Sequence, residues 1–232
     1  MTTATLGYWR IRGLAQPIRL LLGYTKTEFE DKMYDVGDAP TYDRSAWTDV
    51  KYTLGLDLPN LPYFIDGDIK LTMSNAILRY IARKNNMVGN TEHEICRVDM
   101  MENELMDFRN AFSALCYSTK LEDLDEALII YKTNVQTRLK LYSDFLGESD
   151  FLAGQKLTFV DFIFYELLDL HKLLKDNILT PFPKLEAFVK RFEELPEIHE
   201  FMSSYKFFKG PPNGKMAVIG GELQNTKYCL LQ

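Results

Sequence analysis

The chain has 232 residues, 46% of them hydrophobic, which is enough to bury a full core in one or two domains. Its formal net charge is -6 and it has no block of lysine or arginine, so we do not expect a nucleic-acid partner, because binding to phosphates relies on a basic footprint. The sequence contains no apolar run of about 18 residues and no signal-peptide pattern. We therefore expect a cytoplasmic protein without stable insertion into a membrane.

Cysteine and histidine give no sign of a metal or redox centre. The 3 cysteines are far apart and in no Cys-x-x-Cys arrangement, which fits a reducing compartment. The 3 histidines are equally scattered and lack the spacing of metal ligands. We expect no metal and no redox cofactor. The residues concerned are Cys96, Cys116, Cys229, His93, His171 and His199.

The first part of the chain alternates between strand and helix patterns. Residues 4–9 are short and apolar, as in a buried strand, and residues 15–24 repeat their apolar side chains at helical spacing. A second extended stretch covers residues 29–36. It leads into residues 37–40, whose glycine and proline indicate a long loop.

A hairpin and a helix complete this part. Residues 61–65 and 69–71 flank an Asp-Gly-Asp sequence, the strongest short hairpin signal in the chain. Residues 74–84 follow as a helix, which we expect Ser74 to cap with its hydroxyl. The order βαβ, then ββα, predicts an α/β thioredoxin-like domain over residues 1–85.

The rest of the chain is predicted to be helical. After a linker at residues 86–90, amphipathic patterns cover residues 92–117 and 124–146. We expect an all-α domain over residues 91–219 and a flexible tail at residues 220–232.

The best-marked helix begins at Thr158. Asp161 lies at the third position after this hydroxyl N-cap, as in a capping box. Residues 159–174 are apolar on nearly every face, which predicts a helix at the centre of the domain. We interpret Asp161 as a folding residue and not as a catalytic one.

Short motifs spread over the whole chain carry a family resemblance. They are Gly7-Tyr8-Trp9, Ile11-Arg12-Gly13-Leu14, the loop at residues 37–47, residues 56–63, Ser74-Asn75-Ala76-Ile77, Arg97-Val98-Asp99, residues 139–143, Thr158-Phe159-Val160-Asp161-Phe162 and Lys215-Met216-Ala217. With these motifs the chain resembles the cytosolic glutathione transferases and is most similar to their mu class. The loop at residues 37–47 is the class-specific part.

The resemblance gives Tyr8 a chemical role. The thiol of glutathione, like that of free cysteine, has a pKa of about 8.5, so little of it is the nucleophilic thiolate at neutral pH. A hydroxyl that donates a hydrogen bond to the sulfur anion lowers this pKa. The resemblance implies that Tyr8 does so as a neutral phenol. Outside this motif, Tyr8 would be an ordinary half-buried aromatic residue.

Glutathione carries two carboxylates and an ammonium group, which need charge complements. The helix start at Ser74 suits the γ-glutamyl carboxylate. The resemblance implies that loop side chains hold the glycyl carboxylate and that the main chain before Pro62 pairs with the cysteinyl residue, if the Leu61–Pro62 bond is cis. It also implies an aspartate from the partner subunit for the ammonium group. Besides Tyr8 and Ser74, the residues implied are Trp9, Arg44, Trp47, Lys51, Asn60, Leu61 and Asp107.

Three of these residues have an alternative interpretation. Arg44 and Lys51 would otherwise be solvated surface charges, which contribute little energy. Asp107 would otherwise belong to a solvated helix face.

The second substrate is expected to be apolar and electrophilic. The resemblance places its site at Ile11, Leu14, Asn110, Ser113 and Tyr117. Tyr117 would donate to an oxyanion or epoxide oxygen as charge develops. Its alternative role is that of a packing tyrosine at a helix end.

Two residues depart from the mu-like pattern. Met73 stands where a glutamine is usual, so a side-chain amide contact to the γ-glutamyl end is absent. We expect weaker glutathione affinity unless another group substitutes. Leu58 stands where an aromatic residue commonly inserts into the partner subunit, which weakens the expectation of a homodimer slightly.

The sequence therefore predicts a homodimeric transferase that conjugates the thiolate of glutathione to hydrophobic electrophiles, with glutathione as co-substrate and no other cofactor. Two alternatives use the same fold: a binding protein that sequesters apolar compounds, and a glutathione-dependent endoperoxide isomerase. The last four residues, Cys-Leu-Leu-Gln, have the spacing of a prenylation motif. No basic run accompanies them, so a flexible tail is the preferred interpretation.

Overall fold

A computed structural model describes residues 3–175 and 177–221. Its first domain is built on a 4-stranded sheet in the order β2-β1-β3-β4. The strands β1 and β2 are parallel, and β3 pairs antiparallel with both β1 and β4. Their bounds are β1 Ala4–Trp9, β2 Phe29–Tyr34, β3 Tyr63–Asp66 and β4 Ile69–Thr72.

Three helices belong to the sheet domain. They are α1 (Gln16–Tyr24), the short α2 (Ser45–Thr48) and α3 (Ser74–Lys84). The βαβ-ββα order predicted from the sequence is confirmed, with α2 as an addition inside the long loop. The side chains of Leu6 in β1 and Phe64 in β3 are fully or almost fully buried in the core.

The start of α3 differs from the sequence prediction. Met73, not Ser74, is the N-cap residue, and no side chain caps the helix. The expectation that the hydroxyl of Ser74 caps α3 is therefore wrong. Met73 has a φ of 68°, so the chain turns into the helix through a left-handed residue. Ser74 becomes the first helical residue and lies beside the free amide groups of the first turn.

The second domain is helical, as predicted. The long helices α4 and α5 are joined by a short 3-10 helix, and α6 is followed by two shorter helices that each carry a proline in the first turn. The bounds predicted for α5 and for α6 are confirmed. The elements are α4 (Glu92–Ser118), the 3-10 helix Leu121–Asp123, α5 (Leu124–Leu146), α6 (Phe159–Leu174), α7 (Pro183–Glu193) and α8 (Pro196–Ser203).

No helix within the described part of the chain has the length and apolar character needed to cross a membrane. Residues 222–232, with the predicted prenylation pattern and most of the predicted tail, lie outside the described residues.

The N-terminus of α6 is fixed by a buried carboxylate. Oδ2 of Asp161 accepts the main-chain N–H of Thr158 at 2.8 Å and its hydroxyl at 2.9 Å. Oδ1 accepts the N–H of Leu152 at 2.8 Å. Burial raises the pKa of Asp161 to about 6, although these hydrogen bonds act to lower it. The predicted pairing of Thr158 with Asp161 at the helix start is confirmed.

A buried histidine links α5 to α6. Nδ1 of His171 lies 2.6 Å from the carbonyl oxygen of Leu167, and Nε2 lies 2.8 Å from the hydroxyl of Tyr131. Because a carbonyl only accepts, Nδ1 carries the proton and Nε2 accepts from Tyr131. The imidazole stacks on Phe108 with ring centroids 4.3 Å apart. Burial lowers the pKa of His171 to about 4, so the ring is neutral in the folded protein at neutral pH.

Replacing Asp161 with alanine leaves the N–H groups of Leu152 and Thr158 buried without an acceptor. We expect the free energy of unfolding, measured by urea titration, to fall by about 2 to 4 kcal/mol. Asp123 is a matched control, since it is the N-cap residue of α5 but makes no side-chain capping bond. Asp123→Ala should cost less than about 0.5 kcal/mol. Equal losses in the two variants would contradict the role given to Asp161.

The His171→Phe variant tests the buried imidazole through pH. The folded-state pKa of about 4 lies below the ordinary 6.5, so the unfolded chain takes up this proton at higher pH. The contribution of His171 to stability is full above pH 6.5 and is lost as the pH falls through about 4. We expect the stability difference between wild type and variant to shift by about 3 kcal/mol against wild type over this window. The measurement is the free energy of unfolding at a series of pH values.

The titrations of Asp161 and Glu166 are common to both proteins and cancel in that difference. His199 lies exposed on α8 and provides the control. The pH series of His199→Phe is the reference for replacing an exposed histidine with phenylalanine. A pH-independent difference between wild type and His171→Phe would contradict the role given to the buried ring.

Candidate functional site

A cavity of about 750 Å³ lies where the two domains meet. Its walls come from the loop after β1, the loop after β2, the end of α4 and residues 211–221, which we call the strap. Apolar side chains dominate the inner walls, and charged side chains stand among them. The lining includes Trp9, Ile11, Val36, Tyr117, Pro211 and Met216, with Arg10, Asp35, Arg44 and Lys215 as the charged members.

The strap is attached to both domains by main-chain hydrogen bonds. The carbonyl of Pro211 accepts the N–H of Arg12 at 2.8 Å, and that of Pro212 accepts the N–H of Gly13 at 3.2 Å. Further along, the N–H of Val218 donates to the carbonyl of Cys116 at 2.8 Å. The strap therefore ties the loop after β1 to the end of α4 across the cavity.

Tyr8 is buried at the end of β1, beneath the loop that follows. Its phenol oxygen accepts the N–H of Leu14 at 3.2 Å. Gly13 permits this close approach: it has a φ of 43°, and a Cβ there would lie 2.5 Å from Cε1 of Tyr8. Within the described residues no group accepts the proton of the Tyr8 hydroxyl. That proton is free to be donated to a ligand.

Tyr8 does not itself line the large cavity. Its neighbours Trp9 and Ile11 do, so the phenol lies beside the cavity under the loop. A ligand atom held by Tyr8 would sit at the edge of the apolar space.

Tyr117 is the polar group that the end of α4 brings to this cavity. Its oxygen accepts the N–H of Gly214 in the strap at 2.7 Å, so its own proton stays available. Burial raises the pKa of Tyr117, and the nearby Tyr8 adds to that rise. The phenol is therefore protonated at neutral pH and able to donate.

The residues predicted to bind the electrophile do not all lie in one cavity. Ile11 and Tyr117 meet in the large cavity. Asn110 and Ser113 lie seven and four residues before Tyr117 on α4, on the same side of the helix, but they are not part of the cavity wall. Leu14 lines a separate narrow gap between the domains, with a volume of about 10 Å³.

This interdomain gap also holds the predicted glutathione residue Ser74. Ser74 is only 7% exposed and lies at the start of α3. No group among residues 3–175 and 177–221 makes a hydrogen bond with its hydroxyl. Asn75 of α3, Arg109 of α4 and Glu166 of α6 complete the polar lining of the gap. The positive end of α3 and an unused buried hydroxyl thus stand together, as a carboxylate requires.

Arg44, Trp47 and Lys51, in and just after the loop at residues 37–47, have different surroundings. Nη2 of Arg44 lies 3.5 Å from the sulfur of Met216, at the cavity wall. Trp47 is buried, and its ring stacks on Tyr63 with centroids 5.9 Å apart. The ammonium group of Lys51 lies 4.8 Å above the ring of Tyr52.

The segment before β3 has the predicted backbone isomer. The Leu61–Pro62 peptide bond is cis. The N–H of Leu61 donates to Oδ1 of Asn60 at 2.9 Å, so a ligand that pairs with Leu61 displaces this side chain. Asp107 is exposed on α4, and its negative charge contributes to raising the pKa of Arg138.

A buried ion cluster holds the loop after β1 against α6. Arg12 donates to both carboxylate oxygens of Glu166, at 3.1 and 2.7 Å, and to Asp169 at 2.6 Å. Burial raises the pKa of Glu166, and the attraction of Arg12 acts against that rise. This cluster positions the loop whose Leu14 N–H holds the Tyr8 oxygen.

Sequence reasoning missed the strap as a wall and Arg109 as a lining residue. Gly210 precedes the strap, and Pro211 and Pro212 begin it. These residues indicate a non-helical segment, but they do not predict its contact with Arg12. Arg109 lies in a helical pattern where an arginine is normally a surface residue. Among the described residues, no group of three or more side chains is placed to hold a metal ion.

Comparisons with known proteins agree with this architecture. Residues 4–83 match the family model of the glutathione S-transferase N-terminal domain, and residues 106–205 match that of the C-terminal domain. The chain is 52% identical over 217 residues to glutathione S-transferase Mu 1 of Bos taurus, covering 94% of this chain and 98% of that protein. It is 51% identical to glutathione S-transferase Mu 1 of Homo sapiens, with the same two coverages.

Solved structures show the same relationship. The crystal structure of the glutathione S-transferase Blo t 8 superposes with a TM-score of 0.86 at 36% identity, covering 93% of this chain and 99% of that chain. The Pi-class glutathione S-transferase of Onchocerca volvulus gives a TM-score of 0.80 at 27% identity, covering 93% and 100%. Both halves of the fold and the sequence relationship to mu enzymes lead to one conclusion: the chain belongs to the glutathione S-transferase family.

Proposed function

We propose that this protein conjugates reduced glutathione to hydrophobic electrophiles, and that Tyr8 stabilises the thiolate. The observation that carries the proposal is the free proton of the Tyr8 hydroxyl, whose oxygen is held by the N–H of Leu14 at the edge of a large apolar cavity. The fold and the family membership supply the class of reaction.

The first step is ionisation of the thiol. The phenol of Tyr8 donates its proton in a hydrogen bond to sulfur, which favours the anion, while the thiol proton leaves to solvent. Because the oxygen of Tyr8 is fixed by Leu14, the donor does not have to reorganise when charge develops on sulfur.

Glutathione is held by its charged ends. Ser74 and the first turn of α3 bind the γ-glutamyl carboxylate, and Arg44, Trp47 and Lys51 bind the glycyl end. The main chain at Leu61, after Asn60 turns away, pairs with the cysteinyl residue. Trp9 closes the site beside Tyr8.

The electrophile enters the large cavity beside Ile11, with Leu14 in the adjoining gap and Asn110 and Ser113 on the same side of α4 as Tyr117. A lone pair of the thiolate forms the new C–S bond, and either a halide leaves or an epoxide C–O bond breaks. In the second case Tyr117 donates to the developing oxyanion, which then takes up a proton. No redox change occurs, and glutathione is the only co-substrate required.

The protein is proposed to act as a cytoplasmic homodimer. Leu58 is 66% exposed and Tyr52 is 76% exposed on the sheet domain, and apolar surface of this kind is stabilised by a second subunit. Asp107 of each subunit would then reach the glutathione ammonium group of the other. Sequestration and endoperoxide isomerisation have no observation in their favour, and turnover of an aryl halide with glutathione separates conjugation from both.

The Tyr8→Phe variant tests the thiolate. We expect it to fold and to bind glutathione nearly as well as wild type, but to lose the ultraviolet absorbance of bound thiolate near neutral pH. Conjugation of an aryl halide should fall by about a hundredfold, the usual cost of removing one aimed donor. Tyr205, which is 94% exposed, supplies the control variant Tyr205→Phe. Full thiolate absorbance in Tyr8→Phe would contradict the proposal.

Tyr117→Phe tests the oxygen-directed donor. We expect kcat/KM for an epoxide to fall about ten- to a hundredfold, because the transition state loses a donor to its oxyanion. For an aryl halide, where no oxyanion forms on the reacting carbon, the chemical step should change little. The measurement is the ratio of the two kcat/KM values. If the variant lowers both equally, Tyr117 serves only to hold the strap through Gly214.

A further inference from the structure

Arg109 is a charged residue that the proposed mechanism does not use. It lies on α4 and lines the interdomain gap with Leu14, Ser74 and Glu166. Leu14 is the residue whose N–H holds the oxygen of Tyr8. Arg109 therefore lines the same gap as the residue that holds the proposed sulfur donor.

The guanidinium of Arg109 forms no ion pair within the described residues, unlike other cations near the site. Arg12 is committed to Glu166 and Asp169, at 2.7 and 2.6 Å. Lys215 is paired with Asp38. Within residues 3–175 and 177–221, by contrast, no group forms a hydrogen bond or an ion pair with Arg109. Its charge is available to an anion that binds in this region.

The charge of Arg109 extends toward the cavity. Burial raises the pKa of Tyr117 and raises that of Cys116 to about 12, and on both groups Arg109 acts in the opposite direction. Burial also raises the pKa of Glu166, and Arg109 opposes that rise as well, after Arg12. The positive charge thus acts both on groups at the end of α4, where Tyr117 lines the large cavity, and on Glu166 of α6 in the gap.

We infer that Arg109 is a second residue, after Tyr8, that favours the glutathione thiolate, acting through a positive charge that is not held in an ion pair. This inference rests on the proposed function. A cation within several ångströms lowers the pKa of an acid by stabilising its anion. The thiol loses its proton to solvent, and no other bond changes. Arg109 acts at a distance and is a positioning residue, whereas Tyr8 touches the sulfur.

Other charged groups stand in the wall of the large cavity, namely Arg10, Asp35, Arg44 and Lys215. Burial raises the pKa of Tyr117 and of Cys116 on α4, so both are uncharged at neutral pH. Arg12 on the loop is offset by Glu166 and Asp169 on α6. Because that cluster carries one positive and two negative charges, removing Arg109 leaves a negative surplus that disfavours a second anion.

The test is an ultraviolet pH titration of the glutathione complex in wild type and three variants. Arg109→Gln removes the charge, Arg109→Lys keeps it, and Arg83→Gln removes an exposed arginine at the far end of α3. We expect the midpoint of thiolate formation to rise by about 0.5 to 1 pH unit in Arg109→Gln. The lysine variant and the Arg83 control should titrate like wild type.

Two results would overturn the inference. The first is an unchanged midpoint in Arg109→Gln, which would leave Arg109 as a structural neighbour of Glu166. The second is a failure of Arg109→Gln to fold while Arg109→Lys folds, since the charge would then be needed for the fold and not for the thiolate. The melting temperature of each variant separates these results.

Other results would contradict the proposed function itself. If wild type shows no thiolate signal, or if Tyr8→Phe shows the same signal as wild type, the role of Tyr8 is wrong whatever Arg109 does. If Tyr8→Phe loses the thiolate signal as expected but Arg109→Gln leaves the midpoint unchanged, only the inference about Arg109 is wrong.

Discussion

The hydrogen bond from the N–H of Leu14 to the oxygen of Tyr8 is the interaction on which the site depends. It uses the phenol oxygen as an acceptor and leaves the hydroxyl proton available to a ligand, which we propose is the sulfur of glutathione. It exists because Gly13 brings the loop closer to the ring than any residue with a Cβ could. The chemistry of the site is therefore set by backbone geometry in a loop of a few residues.

The rest of the molecule keeps that loop in place. From the helical domain, Glu166 and Asp169 bind Arg12 through charge-assisted hydrogen bonds. From the strap, two carbonyls accept N–H groups of Arg12 and Gly13. A buried ion pair is weak evidence for stability, but losing one partner is costly, and here it fixes the relation between the domains. Folding of the second domain and the geometry of the first domain's active residue are thus coupled.

Much of the fold could be predicted from the sequence because its signals are local. The Asp-Gly turn between β3 and β4, the Thr158 cap and the apolar faces of α6 each depend on neighbours in sequence. The prediction that Ser74 caps α3 was wrong because a hydroxyl residue before a helical pattern resembles an N-cap. The left-handed φ of Met73 cannot be predicted from its side chain. Of the candidate site, Tyr8 and Ser74 could be named from motifs. The strap and Arg109 could not, since their roles come from contacts between residues about one hundred to two hundred positions apart.

The central claim is that the phenol of Tyr8 points its proton at the sulfur of glutathione. The most direct measurement is a crystal structure of the protein with reduced glutathione bound. The account predicts the sulfur within hydrogen-bonding distance of the Tyr8 oxygen, with the N–H of Leu14 still on the opposite side of that oxygen. A sulfur atom beyond that range, with no bridging water and with the Tyr8 hydroxyl donating to another group, would contradict it.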